Sequence, residues 1–184
     1  KLTLKVQEAL QEAQSLASSR GHQGIDVEHL LFALFNQPEG IVGAIVKKLG
    51  ADSAAMASAL QKSLGRIPRV EGAGTGQPYM TPRLNKVLDQ ALTEAARLKD
   101  EYASAEHLLL AMSEEKGGEA VKILKAAGIT RDNIFKVLLE IRGKQRITDP
   151  NPEEKYQALK RYAKDFNDLA RKGAFDPVIG RDDE

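Results

Sequence analysis

The glycine-rich run Gly72-Ala-Gly-Thr-Gly76 has the composition of a loop that wraps a phosphate in backbone N–H groups. That chemistry also needs a strand before the loop, a helix after it and a lysine at its mouth, as in GxxxxGK[ST]. None of these accompanies the run, which reads as a flexible connection. Three histidines, His22, His29 and His107, are the side chains able to exchange protons near neutrality or to ligate a metal. No HExxH spacing occurs and no cysteine is present, so neither a zincin-type site, a thiolate metal site, a disulfide nor thiol catalysis is expected. A GxSxG nucleophile elbow is missing as well. The expected catalytic set is none, and the expected metal set is none. His29 and His107 both sit in the run Glu-His-Leu-Leu, and equivalent places point to a structural role in packing or capping. The basic stretches Arg142-Gly-Lys-Gln-Arg146 and Lys160-Arg161 could meet phosphates, but acids alternate with bases through the last of these, which describes a solvated face.

The elements that hold these residues follow from a duplication. A shift of 78 positions places Glu28-His29-Leu30-Leu31 on Glu106-His107-Leu108-Leu109 and pairs Leu10 with Leu88, Ala13 with Ala91, Gly50 with Gly128 and Leu60 with Leu138. The alignment runs without a gap from Thr3/Thr81 to Gly65/Gly143. Each copy reads as four helices. Thr3 and Thr81 are N-cap types, and Pro82 stands where a first-turn proline costs nothing. Val6, Leu10, Ala13 and Ala17, matched by Leu84, Leu88, Ala91 and Ala95, mark a buried stripe at helical spacing. Asp26 and Ser104 cap the second helices, with Glu28 and Glu106 in the first turn, where a carboxylate complements the helix dipole. Third helices begin near Gly40 and Gly118 and stop at Gly50 and Gly128. Fourth helices start at Asp52 and Thr130. Strand-like alternation is nowhere sustained. The expected fold is all-α: two quasi-identical four-helix repeats (3–65 and 81–143, joined by a loop at 66–80), packed about a pseudo-two-fold axis into one domain, 1–143.

After Gly143 the polar, proline-flanked stretch 144–152 reads as an interdomain linker, easily cut by protease. A further helix, near Glu153 to Lys172, carries Tyr156, Leu159, Ala163 and Phe166 on one stripe, and 153–184 reads as the truncated opening of a second domain.

Composition supports this outline. Ala and Leu number 46 against 19 for Val and Ile, a balance that favours helix over sheet. Lys and Arg number 27 and Asp and Glu 26, for a net charge of +1, so no whole-molecule field argues for nucleic acid or a membrane surface. No apolar run is long enough to span a bilayer, and residues 1–10 lack a signal-peptide core. A cytoplasmic location is the expectation. Thr3, Asp100 and Glu106 read either as caps and surface acids or as the polar rim of an apolar cleft that two packed repeats leave between them, where carboxylates would favour segments carrying Lys or Arg beside apolar residues.

The duplicated Glu-His-Leu-Leu motif, the glycine-stopped helices and the repeat length resemble the Clp N-terminal repeat domain of Hsp100-type unfoldases, over essentially the whole chain. Arg66-Ile-Pro-Arg-Val-Glu-Gly72 and Tyr156-Gln-Ala-Leu-Lys-Arg-Tyr162 are similar to the ClpB branch, and Phe175-Asp-Pro-Val-Ile-Gly-Arg-Asp182 is similar to that family's entry into its first AAA+ ATPase domain. The resemblance implies a cytoplasmic, homohexameric, ATP- and Mg-dependent disaggregase that works with a DnaK-type chaperone and carries a coiled-coil insertion downstream. This chain would be its substrate-engaging module, monomeric alone, without nucleic-acid or membrane partners and without a cofactor of its own. Thr3, Asp100 and Glu106 match family positions that engage unfolded or aggregated polypeptide. Val178, Ile179, Gly180 and Arg181 match the edge of the adenine pocket, whose Walker A lysine would lie beyond residue 184. Family members that are more apolar where this chain has Gln90, Glu94 and His107 imply a more polar cleft here. The alternative reading is an adaptor-docking domain of a ClpA- or ClpC-like unfoldase that feeds a protease. A free-standing enzyme would need a catalytic constellation that the sequence does not contain.

Overall fold

A computed structural model of the chain describes residues 1–72 and 76–156. Helices α1 (Leu4–Ser19), α2 (Val27–Phe35), α3 (Ile41–Lys48) and α4 (Ser53–Gly65) form the first repeat; α5 (Pro82–Arg97), α6 (Ala105–Ser113), α7 (Glu119–Ala126) and α8 (Arg131–Arg142) form the second. Residues 152–156 begin a further helix. The architecture is mostly helical, as the spacing of apolar residues predicts.

Each helix starts where its cap residue stands. Thr3, Asp52, Thr81 and Thr130 accept from the backbone N–H three residues on, at 3.4, 3.0, 3.1 and 3.3 Å. The third helices end at Gly50 and Gly128, whose φ of +66° and +75° is the left-handed conformation a glycine reaches without strain. α2 and α6 begin with a less usual capping box. His29 and His107 occupy the third helical position, and each ring Nδ1 accepts the backbone N–H of the cap residue, Asp26 at 2.9 Å and Ser104 at 2.8 Å. The structural role expected for these histidines is therefore capping.

Two features depart from the sequence reading. First, the repeats are joined by short parallel strands. β1 (Gly24–Ile25) pairs with β2 (Tyr79–Met80), and Leu2 bridges Ala103 in the same sense. The two pairings are related by the 78-residue shift, so the residues preceding the first helix of each copy bond to those preceding the second helix of the other. Strands of two residues carry no alternation to detect. Second, the stretch 144–152 does not hang free. Ile147 is buried; its N–H donates to Asp100 Oδ1 at 2.8 Å and its carbonyl accepts the N–H of Glu101 at 2.8 Å. The Pro150 carbonyl accepts the N–H of Leu4 at 2.9 Å, which satisfies one of the donors left unpaired at the start of α1. Its counterpart at the start of α5 is Pro82, which has no N–H to satisfy.

The core is one continuous cluster drawn from both repeats, from Val6 on α1 to Leu138 on α8. α2 lies at its centre, touching α5, α6 and α7 besides the helices of its own copy. Among the described residues no helix is long and apolar enough to cross a membrane.

Candidate functional site

The residues singled out in the sequence meet at the N-terminal ends of α1 and α6, under the segment that follows α8. Thr3, Asp100 and Glu106 are 0, 8 and 0 % exposed, so the expected open rim is not there. Thr3 is enclosed because its backbone N–H donates to the Ala103 carbonyl at 3.1 Å, inside the bridge between repeats. Asp100 is held by three donors: His107 Nε2 at 2.8 Å, Arg142 Nη2 at 2.6 Å and the Ile147 N–H. Because His107 Nδ1 accepts the Ser104 N–H, its proton sits on Nε2 and points at Asp100. Burial pushes the Asp100 carboxyl up, but the hydrogen bonds from His107, Arg142 and Ile147 outweigh it and hold it at about 2.

Arg142 is buried, in contrast to the solvated basic stretch expected around it. It donates from Nη1 to Glu106 Oε1 at 3.3 Å and from Nη2 to the Gln145 carbonyl at 3.0 Å. Its guanidinium is held charged, above its ordinary range: burial opposes that, and the Asp100 hydrogen bond and Glu106 charge prevail. Repeat one solves the same place with different residues. At the position of Asp100 stands His22, whose Nδ1 lies 2.8 Å from His29 Nε2, and at that of Arg142 stands Leu64. Since His29 Nδ1 accepts the Asp26 N–H, Nε2 of His29 donates and Nδ1 of His22 accepts. Both rings are neutral. Burial and the neighbouring His22 lower His29 to about 4, and burial with Arg20 and Arg69 lowers His22.

Glu28, the counterpart of Glu106, is reached from the other repeat. Arg83 Nη1 donates to both its oxygens, at 3.0 and 2.8 Å, and the Nε of Arg83 donates to Glu115. Gly118, at φ +92°, lies against that guanidinium, and a side chain there would strike it. Glu94, expected to make the cleft more polar, is buried instead and bound in two-pronged fashion by Arg131 at 2.7 and 2.9 Å. None of these ion pairs was readable as such from residue types. The signal was present in the repeat alignment, where a charge facing a leucine (Arg142 for Leu64) marks a buried position that needs a partner.

Open surface lies elsewhere. A groove of about 790 Å³ runs between α1 and α2, floored by Ala9, Leu16, Phe32 and Ala33 and edged by Lys5 and Glu12. Its symmetry mate, about 740 Å³, lies between α5 and α6 over Val87 and Ala111, edged by Lys86 and Glu114. Among the described residues no three His, Asp or Glu side chains gather as a metal site. Val178, Ile179, Gly180 and Arg181 lie outside the described residues.

The interlocked pair of four-helix repeats defines a mostly helical double-repeat domain. The chain belongs to the Clp repeat (R) N-terminal domain family, whose model matches residues 1–127. Over its whole length it is 43 % identical to the chaperone protein ClpB of Nitratidesulfovibrio vulgaris and 42 % to that of Bacillus cereus, of which it spans 22 % and 21 %. The chain thus spans about a fifth of the length of these curated relatives. The Hsp104 N-terminal domain of Candida albicans has the same fold, with a TM-score of 0.72 over 83 % of this chain and 99 % of that one, at 24 % identity. The N-terminal domain of the ClpV1 ATPase of E. coli EAEC gives 0.62 over 74 % and 82 %, at 25 % identity. With ClpB chaperones as full-length relatives, the ClpA- or ClpC-like alternative is not favoured.

Proposed function

We propose that this domain is the polypeptide-engaging N-terminal module of a ClpB-type, ATP-dependent unfoldase that threads unfolded or aggregated protein. The observation that carries this reading is the similarity to ClpB chaperones along the entire chain. The twin grooves supply a place for it. Each has an apolar floor and edges of both charge signs, which suits a receptor that must accept many sequences. Thr3, Asp100 and Glu106 contribute from beneath: they fix the starts of α1 and α6, whose faces form the groove walls, and so act as positioning residues. The longer protein is proposed to be a cytoplasmic homohexamer that hydrolyses ATP with Mg²⁺ and cooperates with a DnaK-type chaperone, residues 178–181 contributing one edge of the adenine pocket. The test is an NMR titration of the 184-residue chain with a reduced, carboxymethylated model protein. Shifts along the α1–α2 and α5–α6 grooves are expected, and are to weaken when Phe32 is replaced by Ser. Absence of any shift at millimolar ligand overturns the reading.

A further inference from the structure

Residues 144–156 lie across the domain as a strap. Main-chain bonds at Ile147 and Pro150 join it to the loop before α6 and to the start of α1. Ile147, Pro152 and Glu153 are buried, and Tyr156 packs against the core. Glu153 is the odd contact in this set. It is 4 % exposed, and neither of its carboxylate oxygens has a hydrogen-bond partner. Oε2 of buried Glu106 has none either. Asp100, by contrast, accepts from His107, Arg142 and Ile147, and Glu106 Oε1 accepts from Arg142. The Arg142 Nε–H is left over, but its guanidinium already serves Asp100 and Glu106. Three buried carboxylates thus have one buried cation among them. An excess of buried charge of one sign is costly, and a carboxyl group relieves it by keeping its proton. Glu153, the one without a donor, is the group placed to do so.

We propose that 144–156 is a detachable clasp locked by a proton on Glu153: with the proton the side chain stays in the interior and the segment remains docked, and without it the ionised carboxylate draws the segment off the domain. The clasp goes beyond the polypeptide-binding role and does not depend on it. Its consequence is reach. The matched relatives are about five times as long as this chain. In a longer protein of that kind, docking sets how far the domain stands from whatever follows Tyr156. Released, the 13 residues 144–156 extend to about 40 Å.

Burial, and then the Glu106 charge, push the Glu153 carboxyl up to about 7; Asp149 adds to this, while its own backbone N–H and Lys5 oppose it. Arg142 and Asp100 lie around the same group through Tyr156. On the outer side stand Glu39, Lys47, Lys48 and Glu140, and Lys48 is tied to Glu140 at 3.0 Å. The docked value is raised above the ordinary 4.5 of a released glutamate, so docking takes up a proton. It is strongest below about pH 4.5, weakens by about tenfold per pH unit as pH rises toward 7, and is flat above that.

The test uses the 184-residue chain and two variants, read by amide exchange and by a carboxyl ¹³C titration. Glu153→Gln keeps the shape of the side chain and is uncharged at every pH. At pH 7.5 it is expected to protect the Leu4 and Ile147 amides several-fold better than the parent does, with Leu31 inside α2 as the reference. Weaker protection in Glu153→Gln overturns the clasp, because it means that the ionised carboxylate holds the strap by taking the spare Nε–H of Arg142. Equal protection overturns it as well. In the titration the Glu153 carboxyl of the parent is expected to change near neutral pH, and that of Ile147→Ser, with the strap loosened, closer to 4.5. Should Glu153→Gln fail to fold, this shift decides: the same midpoint in parent and Ile147→Ser shows that the proton and the strap are not coupled, and a parent midpoint near 4.5 shows that no proton is held.

Discussion

Asp100 shows what burial does to a residue that sequence places on a rim. As an exposed acid its loss would leave the melting temperature almost unchanged, because exposed charge pairs contribute little. In the structure its removal takes from buried Arg142 one of its two carboxylate partners and leaves the His107 Nε2–H and the Ile147 N–H without an acceptor. Breaking a buried ion pair from one side costs about 3–5 kcal/mol, so Asp100→Ala should lower unfolding free energy by that order. Urea titration will read it, and a loss below about 1 kcal/mol would return Asp100 to the surface. The His29 ring gives a pH prediction of definite sign. Its folded value of about 4 lies below its ordinary 6.5, so the unfolded chain takes up the proton first as pH falls. Its contribution is complete above about pH 6.5 and is lost progressively as pH falls toward 4, amounting to roughly 2–3 kcal/mol. His29→Gln keeps a side chain able to close the capping box. It should flatten the urea midpoint between pH 6.5 and 4 relative to the parent, and an unchanged slope would mean another group carries the acid sensitivity. Histidine as the third member of a capping box was legible in part: its place in the first turn was visible in the sequence, but its ring orientation depends on what lies seven residues earlier, His22 or Asp100.

At the scale of elements, caps and stops were read well because they are local. Thr3, Asp52, Thr81 and Thr130 each satisfy a donor within three residues, and Gly50 and Gly128 adopt the conformation their residue type permits, so tertiary context has little to add. What sequence missed are long-range main-chain bonds, which residue types do not encode. The stretch 144–152 is polar and rich in proline like a linker, yet its carbonyls and N–H groups serve as partners for Leu4, Glu101 and Asp100. Rapid cleavage there was the natural expectation, and the bonding argues against it. Hydrogen exchange decides between the two. The amides of Leu4, Glu101 and Ile147 should exchange at rates close to those of the helix interiors, since each is bonded outside its own element. Exchange of these amides at the rate of an unprotected peptide would show that the segment lies free. Ile147→Ser, which removes a buried apolar anchor of the stretch, should release it and raise exchange at Leu4, whose N–H donates to the Pro150 carbonyl.

For the whole molecule, duplication poses the question of whether the copies are two folding units or one. A repeat that buried its own stripe would be a separable unit, as in stacked solenoids where neighbours merely add interface. Here each copy lends its leading residues to the other, Ile25 to Met80 and Leu2 to Ala103, and Arg83 of the second copy neutralises Glu28 of the first. The core cluster runs through both without a break, with α2 against helices of each. Cutting between the copies would expose apolar surface on α2, α5, α6 and α7 and strand Glu28 in the interior. The prediction is a single transition. Leu30→Ala, at a fully buried position of α2, should cost about 2–5 kcal/mol by loss of transfer free energy and creation of a cavity. That cost should appear equally in both copies: amides of α6 and α7 should lose protection at the same urea concentration as those of α1 and α2, although the substitution touches only the first repeat. Residue-resolved exchange across a urea series will show it. If α5–α8 keep the parent midpoint while α1–α4 unfold early, the copies are independent and the crossed strands contribute little to holding them together.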